Sequence, residues 1–340
     1  MTTKQSASWS PFSTEARPTL KRPAFGFAGA SFRAEAAATH VEEATTALIG
    51  VPSSLGSAYA GTENGPYFLR TASRRYTWGH ESGRVLTAEG RRDPLRGVVD
   101  LGDLDVSHGS LDQLTLDIST LVSELPRTVI PVVIGGDHSV TEGVVRGIVE
   151  RGCAPFRVLQ FDQHLDLQLW PAATDELLDP LFNTNVMSRV GAVLGEQSIV
   201  HVGVDPFVVV DGEPRDNEQW FRWSRTIVSA DSGALRSDAE FLDVVGAGIP
   251  TYISVDLDVL DSVYLSSTAY PNHSGMSPNQ LVHLIGLVVR HNPIVGLDVV
   301  EFGAPAAARD PKTLADATRA ADVLLHVLRL LTDEERLRLP

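Results

Sequence analysis

A chain of 340 residues with 43% apolar and 21% charged residues can bury a sizeable core, as one large α/β domain or as two smaller ones. Its net charge of −15 and pI near 5.0, without any basic cluster, argue against a broad nucleic-acid surface. The single cysteine, Cys153, excludes an intrachain disulfide framework and a thiolate zinc site, and no apolar run is long enough to span a bilayer.

Residues 1–45 read as an arm and lead-in. The first thirty mix Ser, Thr, Pro, Phe and Gly without a period, either disordered or resting on the body through Trp9, Phe12, Phe25 and Phe27. They lack the apolar stretch of a secretory signal, so cytoplasm is the expected location. From residue 46 to 340 apolar runs and helical patterns take turns. Strands are predicted over Thr46–Val51, Val98–Leu101, Val129–Ile134, Phe156–Phe161, Ser198–Val204, Thr226–Ser229, Thr251–Val255 and Ile294–Val300. Between them helices are predicted over Leu111–Leu125, Val140–Arg151, Val186–Gly195, Ser232–Val245, Pro278–Val289 and Lys312–Leu331. Uninterrupted runs such as Pro131-Val132-Val133-Ile134 suit strands covered on both faces. A single α/β domain with a mostly parallel sheet is therefore expected, and its chemistry should lie just beyond the C-terminal ends of strands.

Three stretches meet that demand. Gly135-Gly136-Asp137-His138-Ser139 follows one strand; its glycines permit a tight turn that brings His138 to the mouth of a site, although a lone histidine equally suits packing. Asp162-Gln163-His164-Leu165-Asp166 follows the next. If the chain stays extended there, Asp162, His164 and Asp166 share one face. Asp256-Leu257-Asp258 ends a third strand and places two carboxylates on one face by the same alternation. A buried pair of this kind is costly unless something positive compensates it. Together the stretches offer four carboxylates and two imidazoles, which two divalent cations ~3.5–4 Å apart would balance.

This combination resembles the ureohydrolase family of arginases, agmatinases and guanidino-acid hydrolases, nearer to its agmatinase and guanidine-hydrolase members than to arginase. Gly296-Leu297-Asp298-Val299-Val300-Glu301 matches as well, as do Gly50-Val51-Pro52 and Gly65-Pro66. The resemblance implies a three-layer α/β/α fold with an eight-stranded, mostly parallel sheet. It implies two divalent ions per chain, Mn2+ or Ni2+: one on His138, Asp162, Asp166 and Asp256, the other on His164, Asp162, Asp256 and Asp258. Asp162 and Asp256 would bridge. It further implies hydrolysis of a guanidine by metal-activated water, with Asp258 holding or relaying the proton, and a homo-oligomer (trimer or hexamer), a mixed assembly being the alternative.

Departures from the family pattern bear on the substrate. Where arginases carry Ile-Asn after the central motif, Leu167-Gln168-Leu169-Trp170-Pro171 stands here, so an α-amino-acid pocket is not expected. The segment around Phe182-Asn183-Thr184-Asn185 lacks the histidine that shuttles protons in relatives, leaving solvent or His273 as candidates. The run Gly275-Met276-Ser277-Pro278-Asn279-Gln280 ends in Gln280 where relatives have a glutamate, which removes a charge-assisted partner for guanidinium unless Glu63 or another acid has moved in. Gln168, Trp170, Asn183, Gln280 and Glu301 form the expected substrate-contacting set. A small or alkylated guanidine or a biguanide is the expected substrate, with agmatine and guanidino acids next. A formimino compound would need cationic groups such as Arg70, Arg74 and Arg75. A non-catalytic subunit is disfavoured because all six metal-binding side chains are present.

Overall fold

The computed structural model describes residues 18–32, 44–78, 81–82, 85–87, 90–92, 95–107, 109–167, 181–195, 197–205, 224–229 and 237–332. Eight strands form the body of one sheet: β1 (Thr46–Gly50), β2 (Val98–Leu104), β3 (Ile130–Ile134), β4 (Arg157–Phe161), β5 (Ile199–Val204), β6 (Ser224–Ser229), β7 (Thr251–Asp256) and β8 (Ile294–Val300). They lie in the order β2-β1-β3-β8-β7-β4-β5-β6, and every neighbouring pair is parallel. The two-residue strands Leu20–Lys21 and Ser31–Phe32 also pair with β2, antiparallel and parallel respectively.

Helices cover both faces. Alternation along each strand sends Leu48, Val132, Leu159 and Ile253 into one core, and Ala47, Ile49, Val133 and Val158 into the other. The first core is closed by α1 (Gly65–Ser73), α5 (Asp238–Val245), α6 (Pro278–His291) and α7 (Pro311–Leu331); the second by α2 (Leu111–Ser123), α3 (Val140–Glu150) and α4 (Val186–Leu194). This is the three-layer α/β/α arrangement that the family resemblance implies, built on the mostly parallel sheet expected from the strand–helix alternation. No helix among the described residues is long and apolar enough to cross a membrane.

Three arginines proposed above as anion receptors are committed elsewhere. The fully buried Arg70 donates Nε and Nη2 to Asp100 at 2.9 Å each and also pairs with Asp103; Asp100 in turn accepts the Phe27 backbone N–H. Arg74 lies over the Phe25 ring and Arg75 over the Tyr76 ring. Trp9 and Phe12 lie outside the described residues, whereas Phe27 is buried in the first core.

Candidate metal centre

The sheet order brings β3, β8, β7 and β4 side by side. Each chemical stretch begins where one of these strands ends, so His138, Glu301, Asp256 and Asp162 meet above their C-terminal edge. The route is less regular than strand alternation predicts. β4 stops at Phe161, residues 162–167 are irregular, and Asp166 is turned inward by a left-handed backbone, φ 50°. Likewise β7 stops at Asp256, whose side chain accepts the Asp258 N–H at 2.9 Å and starts a single 3-10 turn, Leu257–Val259. The expectation that each set shares a face by strand alternation is corrected: these side chains converge through turns. Gly136 allows the third approach, since a Cβ there would stand 1.7 Å from the Ser53 carbonyl oxygen.

Asp162 is the hinge of the cluster. Its Oδ2 lies 3.2 Å from His138 Nδ1 and its Oδ1 3.3 Å from His164 Nδ1. His138 Nδ1 also faces Asp166 Oδ2 at 2.9 Å and Asp256 Oδ2 at 3.3 Å, while His164 Nδ1 faces Asp258 Oδ2 at 3.2 Å. Two metal-competent groups result, His138–Asp162–Asp256 and Asp162–His164–Asp258, each with ligand atoms within 4.8 Å of one another. Asp166 joins the first through His138. Asp256 belongs to the first group only, so Asp162 is the carboxylate that visibly serves both.

Behind these groups a polar row crosses the sheet. Gln160 on β4, Ser254 on β7 and Asp298 on β8 are register neighbours, and His201 on β5 lies beside Gln160. All four are fully buried. His201 Nδ1 pairs with Gln160 Oε1, and Gln160 Nε2 donates to Asp162 Oδ2 at 2.7 Å. Asp298 accepts Ser254 Oγ–H and Thr141 Oγ1–H at 2.7 Å each and the Tyr252 hydroxyl. Since the Ser254 proton goes to Asp298, Ser254 Oγ accepts from His138 Nε2, 2.9 Å away.

That chain of donors fixes the tautomer. With Nε2 carrying its proton toward Ser254, His138 Nδ1 turns a lone pair toward three carboxylate oxygens, and it has no hydrogen-bond partner of its own. Such an arrangement is repulsive unless a positive charge sits among them. Without metal, the ring must take up a proton: burial lowers the His138 pKa, but hydrogen bonds and charge from Asp162, Asp166 and Asp256 raise it well above the usual range. Burial opposes His164 in the same way, and Asp258 and Asp162 outweigh it. Among the acids, burial and then the Asp162 charge push Asp166 up to about 6. Burial and then neighbouring carboxylates raise Asp256 and Asp258, whereas the two histidines overcome burial to hold Asp162 below its usual value. An N/O donor set this anionic and this buried fits two moderately hard divalent cations.

The other predicted residues are placed as follows. Glu301 leaves β8 with φ 64° and is buried; its Oε1 accepts the His138 N–H at 2.8 Å and Asn183 Nδ2–H at 3.2 Å, while its Oε2 has no partner. Burial and then the Asp137 charge push it up to about 8. Gln280 caps α6 instead: its side-chain oxygen accepts the Ser277 N–H and O–H at 2.9 Å each, and the residue is exposed. The exposed His273 hydrogen-bonds to Ser262 Oγ at 3.0 Å, not to any of the six metal-competent side chains. Glu63 accepts the Gly61 N–H and an Asn64 amide within its own loop. Gln168 and Trp170 lie outside the described residues. Sequence reasoning missed Tyr59 and Tyr270, whose rings meet edge to face at 5.4 Å, with Tyr270 a further 5.7 Å from the His164 ring. A tyrosine beside a glycine-rich turn and another beside Pro271 carried no periodic signal.

A family model described as the arginase family matches residues 44–328. An uncharacterised 32.2 kDa protein of Methanothermus fervidus is 31% identical over 277 residues, 79% of this chain and 89% of that one. Guanidinopropionase of Pseudomonas aeruginosa is 30% identical over 298 residues, 82% and 85% of the two chains. Among solved structures, proclavaminate amidino hydrolase of Streptomyces clavuligerus superposes with TM-score 0.69 at 21% identity, covering 92% of this chain and 97% of that one. Formimidoylglutamase of Bacillus subtilis gives TM-score 0.69 at 21% identity over 94% and 96%. At that identity the two superpositions speak to the fold alone.

Proposed function

Because this chain belongs to the arginase family, we propose that its centre holds two divalent ions, Mn2+ or Ni2+, and hydrolyses a C–N bond of a small or alkylated guanidine, of the guanidine or biguanide type. His138, Asp162, Asp166 and Asp256 would hold one ion, and His164, Asp162 and Asp258 the other. Bound there, the ions supply Lewis acidity that brings water's pKa toward neutrality. The products are urea, or a urea-like compound, and an amine.

The chain's own groups divide the remaining work. Glu301 carries the reading: among the described residues it is the one acid beside the centre with a buried, unpartnered oxygen, and its other oxygen is fixed by His138 and Asn183. A guanidinium N–H aimed at Oε2 would complete that group, and the cation's charge would offset the burial that favours its protonated form. Its strained backbone costs on the order of 1–3 kcal/mol, in keeping with a position kept for chemistry. Asp258, buried against His164, is the acid that takes the proton from the attacking water and returns it to the departing nitrogen.

Agmatine and guanidino acids are the second reading, supported by the identity to guanidinopropionase. Formimino substrates lose support because Arg70 is buried and bound by Asp100 and Asp103. Assembly as a trimer or hexamer, or with a second subunit type, and action in the cytoplasm belong to the same proposal.

The test is kcat/KM for guanidine, alkylguanidines, biguanides, agmatine, 4-guanidinobutyrate and arginine, with Glu301→Gln and Gln280→Glu in parallel. Glu301→Gln should lower kcat/KM by about a hundredfold, the worth of a charge-assisted hydrogen bond in a dry site. Gln280→Glu should leave the order of substrates unchanged. Arginine as the preferred substrate, or an active Glu301→Gln enzyme, would overturn the assignment.

A further inference from the structure

Tyr59 and Tyr270 stand at the mouth of the centre, 50% and 46% exposed. Tyr59 belongs to the loop that Gly56 N–H ties to Asp137 Oδ2 at 3.0 Å, beside His138. Tyr270 is tied to the other metal-bearing loop, because its carbonyl accepts the Gln163 side-chain N–H. The two rings thus span the loops that carry His138 and His164. Tyr270 is wedged edge-on between Tyr59 and His164. Leu55 and Phe182, 42% and 37% exposed, flank the same loop, since Asn183 N–H donates to the Gly56 carbonyl. Half of the large apolar side chains exposed among the described residues therefore cluster here.

Asn183 joins this wall to the buried carboxylate: its Nδ2–H donates to Glu301 Oε1 at 3.2 Å and its backbone N–H to the Gly56 carbonyl at 2.8 Å, at the base of the Tyr59 loop. Guanidinium is a flat, weakly hydrated cation that stacks on aromatic faces. A carboxylate tail would meet phenols and apolar carbon there, and the negative faces of the rings. We propose that Tyr59 and Tyr270 are the specificity-determining wall, receiving the N-substituent of a guanidinium whose head is held at Glu301. The favoured substrates are then N-alkyl, N-aryl or conjugated guanidines without a carboxylate. This deepens the function proposed above and rests on it for the position of the guanidinium.

Binding is measured on the metal-loaded protein by stopped-flow fluorescence, before turnover, with guanidinium, N-butylguanidinium and 4-guanidinobutyrate. Wild type should bind N-butylguanidinium about tenfold or more tightly than either of the others, the scale on which apolar pockets discriminate. Tyr59→Ala and Tyr270→Ala should abolish that preference, Tyr270→Phe should retain it, and Leu314→Ala, an exposed apolar residue on α7, should not change it. A wild-type protein without the preference, or alanine variants that retain it, would overturn the proposal. Hydrolysis is scored separately: a protein that shows the binding preference but cleaves no guanidine refutes the activity and leaves the wall standing.

Discussion

Ser254→Ala removes one hydroxyl and tests whether the row behind the centre sets the metal chemistry. The hydroxyl lies 2.9 Å from His138 Nε2 and 2.7 Å from Asp298 Oδ1, and all three residues are buried. Its loss leaves two buried polar groups short of a partner, at about 1–3 kcal/mol for each. Asp298 keeps its bonds from Tyr252 and Thr141, so most of the damage falls on His138. A ring free to rotate or change tautomer no longer presents Nδ1 to the carboxylates. Loss of an outer hydrogen bond to a ligating histidine weakens metal affinity about 10–100-fold, or roughly 1.4–2.7 kcal/mol. His164 has no contact with Ser254, so the two ions should separate: one weakened, the other nearly as in wild type. Titration against a chelator of intermediate affinity, with metal per chain measured by elemental analysis, resolves the two. Equal weakening of both ions, or of neither, would refute the link from Ser254 through His138.

Other outcomes follow from the same geometry. Asp162→Ala should lose both ions, whereas Asp258→Ala should retain the ion beside His138; equal metal content in the two variants would contradict the shared role of Asp162. Burial holds His201 down to about 4 against an ordinary 6.5, so between those values the unfolded chain binds a proton that the folded one refuses. Stability should therefore fall as pH drops from 6.5 toward 4, by on the order of 3 kcal/mol from this residue. Urea melts of His201→Gln should show a flatter profile in that window, and an unchanged slope would reject the assignment. Gly136→Ala should cost about 2 kcal/mol or more in denaturant melts and lower metal retention, because its Cβ meets the Ser53 backbone rather than a movable side chain.

Strands and helices were legible wherever burial imposed a period. β1, β3 and β8 fall within a residue or so of expectation, and α6 and α7 within two. Nine-residue α1 was missed because Gly65-Pro66 opens it and too few turns follow to show an apolar stripe. The metal-competent cluster of His138, Asp162, His164, Asp256 and Asp258 was legible because so many carboxylates rarely end apolar strands together. Their path was not: Asp166 and Asp258 reach the centre through a left-handed residue and a 3-10 turn, neither of which has a sequence period. The local bond of Gln280 was missed for a related reason. Ser277-Pro278-Asn279-Gln280 is a helix-capping sequence, and that local bond occupies the amide oxygen expected to face substrate. Glu301 lay in a recognised stretch, yet its unpartnered oxygen is a fact of packing alone.

The buried row of His201, Gln160, Ser254 and Asp298 has a consequence for how the sheet assembles. Strand β8 is otherwise mostly Val, Leu and Ile, and side chains of that kind discriminate poorly between neighbouring alignments. A slide of β7 by one residue would put Ile253 or Val255 beside Asp298, leaving that carboxylate and the His138 Nε2–H short of partners in the interior. The Tyr252 and Ser254 bonds to Asp298 therefore act as a key that admits one alignment of β7 on β8. The alignment it admits is the one that brings Asp256 and Glu301 level at the edge of the sheet.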